Sequence, residues 1–333
     1  MSGAHNDSAV GQPWWRDRRL LAPLGVLAGV LVWQTVALPP QAAVMAGIAT
    51  WMACWWLTEA VPIPVTGLLP LVLLPSFGIS KLSDVGAAYG EPVIFLFLGG
   101  FLLALGLEET GLHRRIALGI VRRVGDRPRR VVLGFMLASA FASMWISNTA
   151  TAMVMLPIAM SVLGDRARRG EGDVAADESR PERRFGAAVM LGIAYACSIG
   201  GMATLVGTAP NLVLVATMKT IFPDAPAIGF AQWMLFGLPL AIAFLFGGWL
   251  LLIGPIFRVP SAFGALASGE GDAATITQEP GPLSRDEWVV AAIFTSVALL
   301  WVTGTDLKLG EAFTLPGWRS ALGLKDVGDG AVA

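Results

Sequence analysis

Apolar stretches close to or longer than the roughly 20 residues needed to cross a ~30 Å hydrocarbon core recur along almost the whole chain. Few folds are open to such a chain, because in hydrocarbon every backbone N–H and C=O must find its partner within the protein, which favours helices. Composition agrees: 55% of residues are hydrophobic, 14% are charged and mean hydropathy is +0.67, whereas soluble domains carry about a quarter charged residues. An all-α polytopic membrane protein is expected. Trp14 to Arg19 leads straight into the first segment, Leu20 to Leu38, without a short apolar run and small-residue cleavage site, so that segment is expected to remain as a helix.

Breakers and charges divide the rest. Helices are expected at about 20–38, 42–58, 62–77, 93–110, 185–217, 231–257 and 286–303. Pro39-Pro40 separates the first two, Pro62 and Pro64 open the third, and Gly90-Glu91-Pro92 precedes the fourth. Arg16, Arg18 and Arg19 place the N-terminus on the cytoplasmic side; Arg114, Arg115, Arg122, Arg123, Arg127, Arg129 and Arg130 place the segment after the fourth helix there too. Four crossings satisfy both. Cys54 and Cys197 lie inside apolar segments and read as packing residues, not as a disulfide or metal site. A net charge of −1 argues against a nucleic-acid partner.

The segment Val131 to Leu163 is apolar along most of its length yet is flanked by arginines on both sides, so both ends are cytoplasmic. Its thirty-three residues are too few for two full crossings and a turn at ~1.5 Å per residue. A re-entrant hairpin fits. Its midpoint reads Ser143-Met-Trp-Ile-Ser147-Asn148-Thr149-Ala-Thr151, and polar, non-helical backbone at membrane depth is tolerated only where it faces protein or a watery cavity. The tip is expected to line a site.

A second polar patch interrupts the helix from Phe185: Ser198, Gly200, Gly201, Ala203, Thr204, Gly207, Thr208, Pro210 and Asn211. Three glycines and a proline make an unbroken helix implausible. A broken helix frees carbonyls at the end of its first half, which suit a cation such as Na⁺, and amides at the start of its second half, near Thr208, Pro210 and Asn211, which suit a carboxylate. Small residues in membrane helices more often serve close packing, and Gly99-Gly100, Gly247-Gly248 and Thr66 are read that way. The two patches are read otherwise because each joins hydroxyls, an asparagine and a helix break.

Three runs carry a resemblance. Ser143-Met144-Trp145-Ile146-Ser147-Asn148-Thr149-Ala150-Thr151-Ala152, with Met155-Leu156-Pro157, is similar to the first Ser-Asn-Thr motif of the divalent anion:sodium symporter family. Gly192 to Tyr195, Ser198 to Gly201 and Gly207 to Asn211 resemble its broken fifth helix, and Trp55-Trp56-Leu57-Thr58-Glu59-Ala60 with Pro62, Pro64 and Thr66 resembles its second and third helices. Two positions depart from the pattern: Ala203 stands where many relatives have glycine, and Ala209 where proline is common.

The resemblance implies an inverted-repeat, elevator-type carrier, a homodimer when full length, moving a small dianion with Na⁺ and using no other cofactor. It implies a cytoplasmic N-terminus (1–19), four scaffold helices (20–112), an Arg-rich cytoplasmic segment (113–130), the hairpin (131–163), a cytoplasmic loop (164–184), transport helices five and six (185–257), a cytoplasmic linker (258–284) and the start of a second half (285–333). Na⁺ would be held by Ser143, Ser147 and Asn148 with the stretch Ser198, Gly200, Gly201, Ala203 and Thr204; Asn148 and Thr149 would also meet a substrate carboxylate. C4-dicarboxylates are the expected substrates, with citrate, sulfate and sodium-independent exchange as alternatives, in a bacterial inner membrane.

Sodium is preferred over protons because proton-coupled carriers need an Asp, Glu or His at membrane depth, and here His5 and His113 lie outside the expected spans while Glu59, Glu91, Glu108, Glu109 and Asp286 fall near helix ends. An intramembrane hydrolase would need a base beside a serine, and no expected span contains His or Lys. A channel or a non-transporting interaction fragment are the other rivals. No second Ser-Asn-Thr follows Trp301, and Asp329 to Ala333 reads as the start of a further apolar helix, so the second repeat is expected to be incomplete and this chain alone is expected not to transport.

Overall fold

The computed structural model describes residues 18–125, 127–163, 181–226, 228–261, 281–308, 314–324 and 327–332. The N-terminal segment before Arg18 and most of the expected connections at 164–184 and 258–284 lie outside them. The described chain is helical apart from one ladder of two-residue strands, and it forms two compact units, Met1–Glu91 and Pro92–Ala333.

In the first unit, α1 (Arg18–Thr35) and α2 (Pro40–Thr58) form a close antiparallel pair, divided where the sequence places Pro39-Pro40. Contact is set by glycine: a Cβ on Gly29 would lie 2.6 Å from the Gly47 carbonyl oxygen, and one on Gly47 would lie 2.7 Å from that of Gly29. The Trp55 indole fills the space beside Gly25 and donates to Ala22 O at 2.8 Å. Glu59 ends α2 in the left-handed region, at φ 49°. The expected helix at 62–77 is two short ones, α3 (Ile63–Gly67) and α4 (Leu69–Ser76), with prolines in the first turn of each. The expected loop before Glu91 contains α5 (Leu82–Tyr89), whose Tyr89 hydroxyl donates to Gly67 O at 2.6 Å.

The second unit begins with α6 (Pro92–Glu109), apolar all round and with Phe95, Leu98, Phe101, Leu102 and Leu105 exposed. An all-apolar helix with a bare face belongs in lipid or against a partner. The Arg-rich stretch at 113–130, expected only as a cytoplasmic segment, holds α7 (Leu112–Val124), bounded by Gly111 at φ 71° and Gly125 at φ 102°. Its Leu112, Ala117 and Val121 face the core while Arg114 and Arg123 are exposed.

The hairpin follows as α8 (Pro128–Ser143) and α9 (Asn148–Leu163). The expected break in the next helix is present: α10 (Pro181–Gly201) ends, 202–208 is non-helical, and α11 (Ala209–Ile221) resumes. Next come α12 (Phe230–Leu251), which passes into a π turn at Leu252–Ile256, and α13 (Arg285–Val302). By length and composition, Leu82–Glu109, Arg183–Gly201 and Phe230–Ile256 can each cross a membrane.

The main core lies where α8, α9, α10 and α12 meet, around Phe135, Met136, Met155, Ala159, Val189 and Leu245. Gly192 lets α10 approach Met136, whose Cγ would be 3.0 Å from an added Cβ. Ion pairs between described residues brace the rest of the unit. Arg115 of α7 grips the capping-box Glu287 of α13 with Nε at 2.9 Å and Nη2 at 3.2 Å. Beyond α13, β1 (Leu307–Lys308) pairs antiparallel with β2 (Thr314–Leu315), and α14 (Trp318–Ala321) and α15 (Asp329–Val332) follow. There Asp329 pairs with Arg319 at 2.6 Å and accepts the Phe230 N–H at 2.9 Å, capping the start of α12 from another element.

Candidate functional site

Four helix ends converge at the hairpin tip. α8 stops at Ser143 and α10 at Gly201, each leaving carbonyls without the helical N–H that would have followed. α9 starts at Asn148 and α11 at Ala209, whose first N–H groups have no carbonyl one turn back within the helix; the Ala150 N–H is taken by Ser147 Oγ and the Asn211 N–H by Thr208 O, and Pro210 has none. The macrodipoles place partial positive charge at the two starts and partial negative charge at the two stops, roughly half a unit each.

Side chains tie these ends together. Ser143 Oγ, fully buried, donates to Asn148 Oδ1 at 2.6 Å, closing the tip of the hairpin. That same oxygen lies against Gly201, where an added Cβ would be 2.8 Å away. Thr204, also fully buried, donates from Oγ1 to the Met144 carbonyl and accepts the Gly207 N–H at 3.1 Å, so one hydroxyl joins the tip to the break. Asn211 Nδ2 reaches back from α11 to two carbonyls, Gly201 O at 2.8 Å and Thr204 O at 2.7 Å. Gly207 is required by space, since a Cβ there would lie 2.6 Å from Gly201 O.

Of the twelve residues expected to form the site, the structure links Ser143, Asn148, Gly201, Thr204 and Asn211 directly. Gly200 is held against the Ala140 backbone, with an added Cβ 2.6 Å from its Cα, which makes it the crossing point of α8 and α10. Ala203 is buried and bonds from N to Gly200 O at 2.9 Å. Others are not drawn in by side-chain bonds. Ser147 is exposed and its hydroxyl accepts the Ala150 N–H, capping α9. Ser198 is exposed and turns toward its own helix, to Ala194 O at 3.5 Å. Thr149 and Pro210 are exposed and Thr208 is half-buried.

Sequence reasoning expected free carbonyls at the break but missed Met144 at the tip and the two residues of α12 that meet the break. Met144 contributes only its carbonyl, which no side-chain pattern advertises. Trp233 of α12 donates to Met202 O at 2.9 Å, and Gly237 on the same helix lies close to the Met202 and Ala203 carbonyls. A tryptophan in an otherwise apolar helix is a signal that could have been used, since a buried indole N–H needs an acceptor. The oxygens gathered here are hydroxyl, amide and backbone carbonyl, the donor set that suits a hard, singly charged cation beside a carboxylate.

A family model described as citrate transporter matches residues 53–326. The sodium-dependent dicarboxylate transporter SdcS of Staphylococcus saprophyticus is 36% identical over 316 residues, covering 94% of this chain and 57% of that protein. Its counterpart in Staphylococcus aureus strain NCTC 8325 is 36% identical over 314 residues with the same coverage. The chain therefore spans a little over half the length of these curated relatives.

Proposed function

This chain belongs to the divalent anion:sodium symporter family, matching its citrate transporter model, and from that premise we propose that the four helix ends at the hairpin tip bind Na⁺ and one carboxylate of a small dicarboxylate for joint passage across the membrane. The observation that carries this reading is the convergence of two helix stops and two helix starts on a cluster of neutral oxygens and amides. Stops attract a cation and starts attract an anion. Ser143 Oγ, Asn148 Oδ1 and the carbonyls of the 200–204 stretch are the cation side; the first N–H groups of α9 and α11, with Thr149 and Thr208, are the anion side. Ser147 joins the cation side by turning its hydroxyl away from Ala150.

Bound Na⁺ then adds a full positive charge to the partial charges of the two helix starts, as a dianion needs. The names of the relatives, sodium-dependent dicarboxylate transporters, support both the ion and the substrate class. In the complete carrier, the hairpin with α10 to α12 moves as one body against the remaining helices, the arginine-rich ends face the cytoplasm of a bacterial cell, and two copies form the working unit.

The test is uptake of radiolabelled succinate by proteoliposomes containing a carrier of the relatives' full length that includes this chain, with Na⁺ or choline outside. Uptake that falls to background in choline is expected. Equal uptake in both overturns sodium coupling. The family description favours a second substrate, citrate, and competition separates the two: excess citrate displacing succinate more strongly than malate would make the tricarboxylate the preferred cargo.

A further inference from the structure

The base of the hairpin bundle, at the opposite end of α8 from the site, carries charge that the transport reading does not use. Arg127, Arg129 and Arg130 surround the start of α8, Arg123 is in the last turn of α7, and all four are exposed. Arg129 Nε donates to Val259 O at 2.8 Å, which brings the exposed Arg258 to the same end. Among the described residues none of these five arginines forms an ion pair.

Directly beside them lies apolar surface. Trp249 of α12 donates its indole N–H to Arg129 O at 2.9 Å, and the residues around it, Phe246, Leu250 and Leu251, are 42%, 57% and 55% exposed. A tryptophan at the edge of an apolar band, with its N–H on the charged side, is the arrangement found at membrane–water boundaries.

We propose that this arginine collar is a docking surface for the anionic headgroups of phospholipids, whose acyl chains lie along Phe246, Leu250 and Leu251. Guanidinium groups match phosphate oxygens in paired, charge-assisted hydrogen bonds. Basic residues at headgroup level gain from an anionic surface and lose that gain within a Debye length. Soluble phosphate would satisfy the arginines but leave the adjoining apolar strip bare; a diacyl phospholipid satisfies both.

The experiment is native mass spectrometry of the purified protein released from detergent with equal phosphatidylglycerol and phosphatidylcholine. Retention of phosphatidylglycerol over phosphatidylcholine by about tenfold is expected, and it should disappear in the triple variant R127Q/R130Q/R258Q while persisting in R127K/R130K/R258K. Equal retention of the two lipids by the natural protein overturns the proposal, as does an undiminished preference in the glutamine variant. Glycerol 3-phosphate displacing the lipid at millimolar concentration also overturns it, by showing a soluble-anion site. Should the glutamine variant fail to elute as a folded species, raising NaCl on the natural protein decides the matter: a preference that does not weaken is not electrostatic.

Discussion

The α1–α2 pair and the hairpin tip use the same residue types to opposite ends. In the pair, Gly29 and Gly47 let two unbroken helices touch backbone to backbone. Its hydroxyls turn inward to their own helices, Thr35 to Leu31 O, Thr50 to Ala46 O and Thr58 to Cys54 O, four residues back in each case. At the tip, Gly200, Gly201 and Gly207 also allow backbone contact, yet two of the helices end there. Ser143, Thr204 and Asn211 bond across elements instead. Small residues and hydroxyls mark a site only where a helix ends and leaves backbone groups for them to hold.

The sharpest way to break the comparison is at its glycines. Gly200→Val should abolish both folding yield and uptake, because the Ala140 backbone cannot move aside as a side chain could. Gly29→Ala should lower the melting temperature by an amount worth about 1–3 kcal/mol, while the surviving protein keeps its Na⁺ dependence in uptake assays. If Gly29→Ala shifts the Na⁺ requirement, the pair is more than packing.

Asn211→Leu comes next. It leaves the Gly201 and Thr204 carbonyls without their donor in a buried place, a loss of about 2–4 kcal/mol for two bonds, and uptake should vanish. Thr204→Val should cost about 1–3 kcal/mol through Met144 O and Gly207 N, with Thr204→Ser restoring most of it in thermal melts. Ser143→Ala should cost about 1 kcal/mol of stability through the bond to Asn148 and raise the Na⁺ concentration for half-maximal uptake roughly threefold to tenfold. The smallest effect belongs to Thr50→Ala, expected within about 0.5 kcal/mol and silent in transport.

Much of this was legible in the residues. The hairpin followed from arginines at both ends of a segment too short to cross twice, and the break at 202–208 followed from three glycines and a proline. Helix α7 was missed because seven arginines read as a connection, although Ala117, Val121 and Val124 recur at helical spacing among them. The division between α3 and α4 was missed because Gly67 and Pro70 sit inside a run apolar enough for one helix. Within the site, residue types named the side chains but not their directions. Ser147 and Ser198 satisfy their own helices, and the Met144 carbonyl is available whatever side chain it carries.

The cluster of helix ends at the tip is joined by serine, threonine, asparagine and main chain, none of which gains or loses a proton between about pH 4 and 9. Its field is a property of backbone geometry and stays constant across that range. A pH profile of uptake would then be a titration curve of the cargo: the acid limb of the profile should follow the carboxyl groups of whichever anion is supplied, moving when succinate is exchanged for malate and holding still when the tip residues are changed.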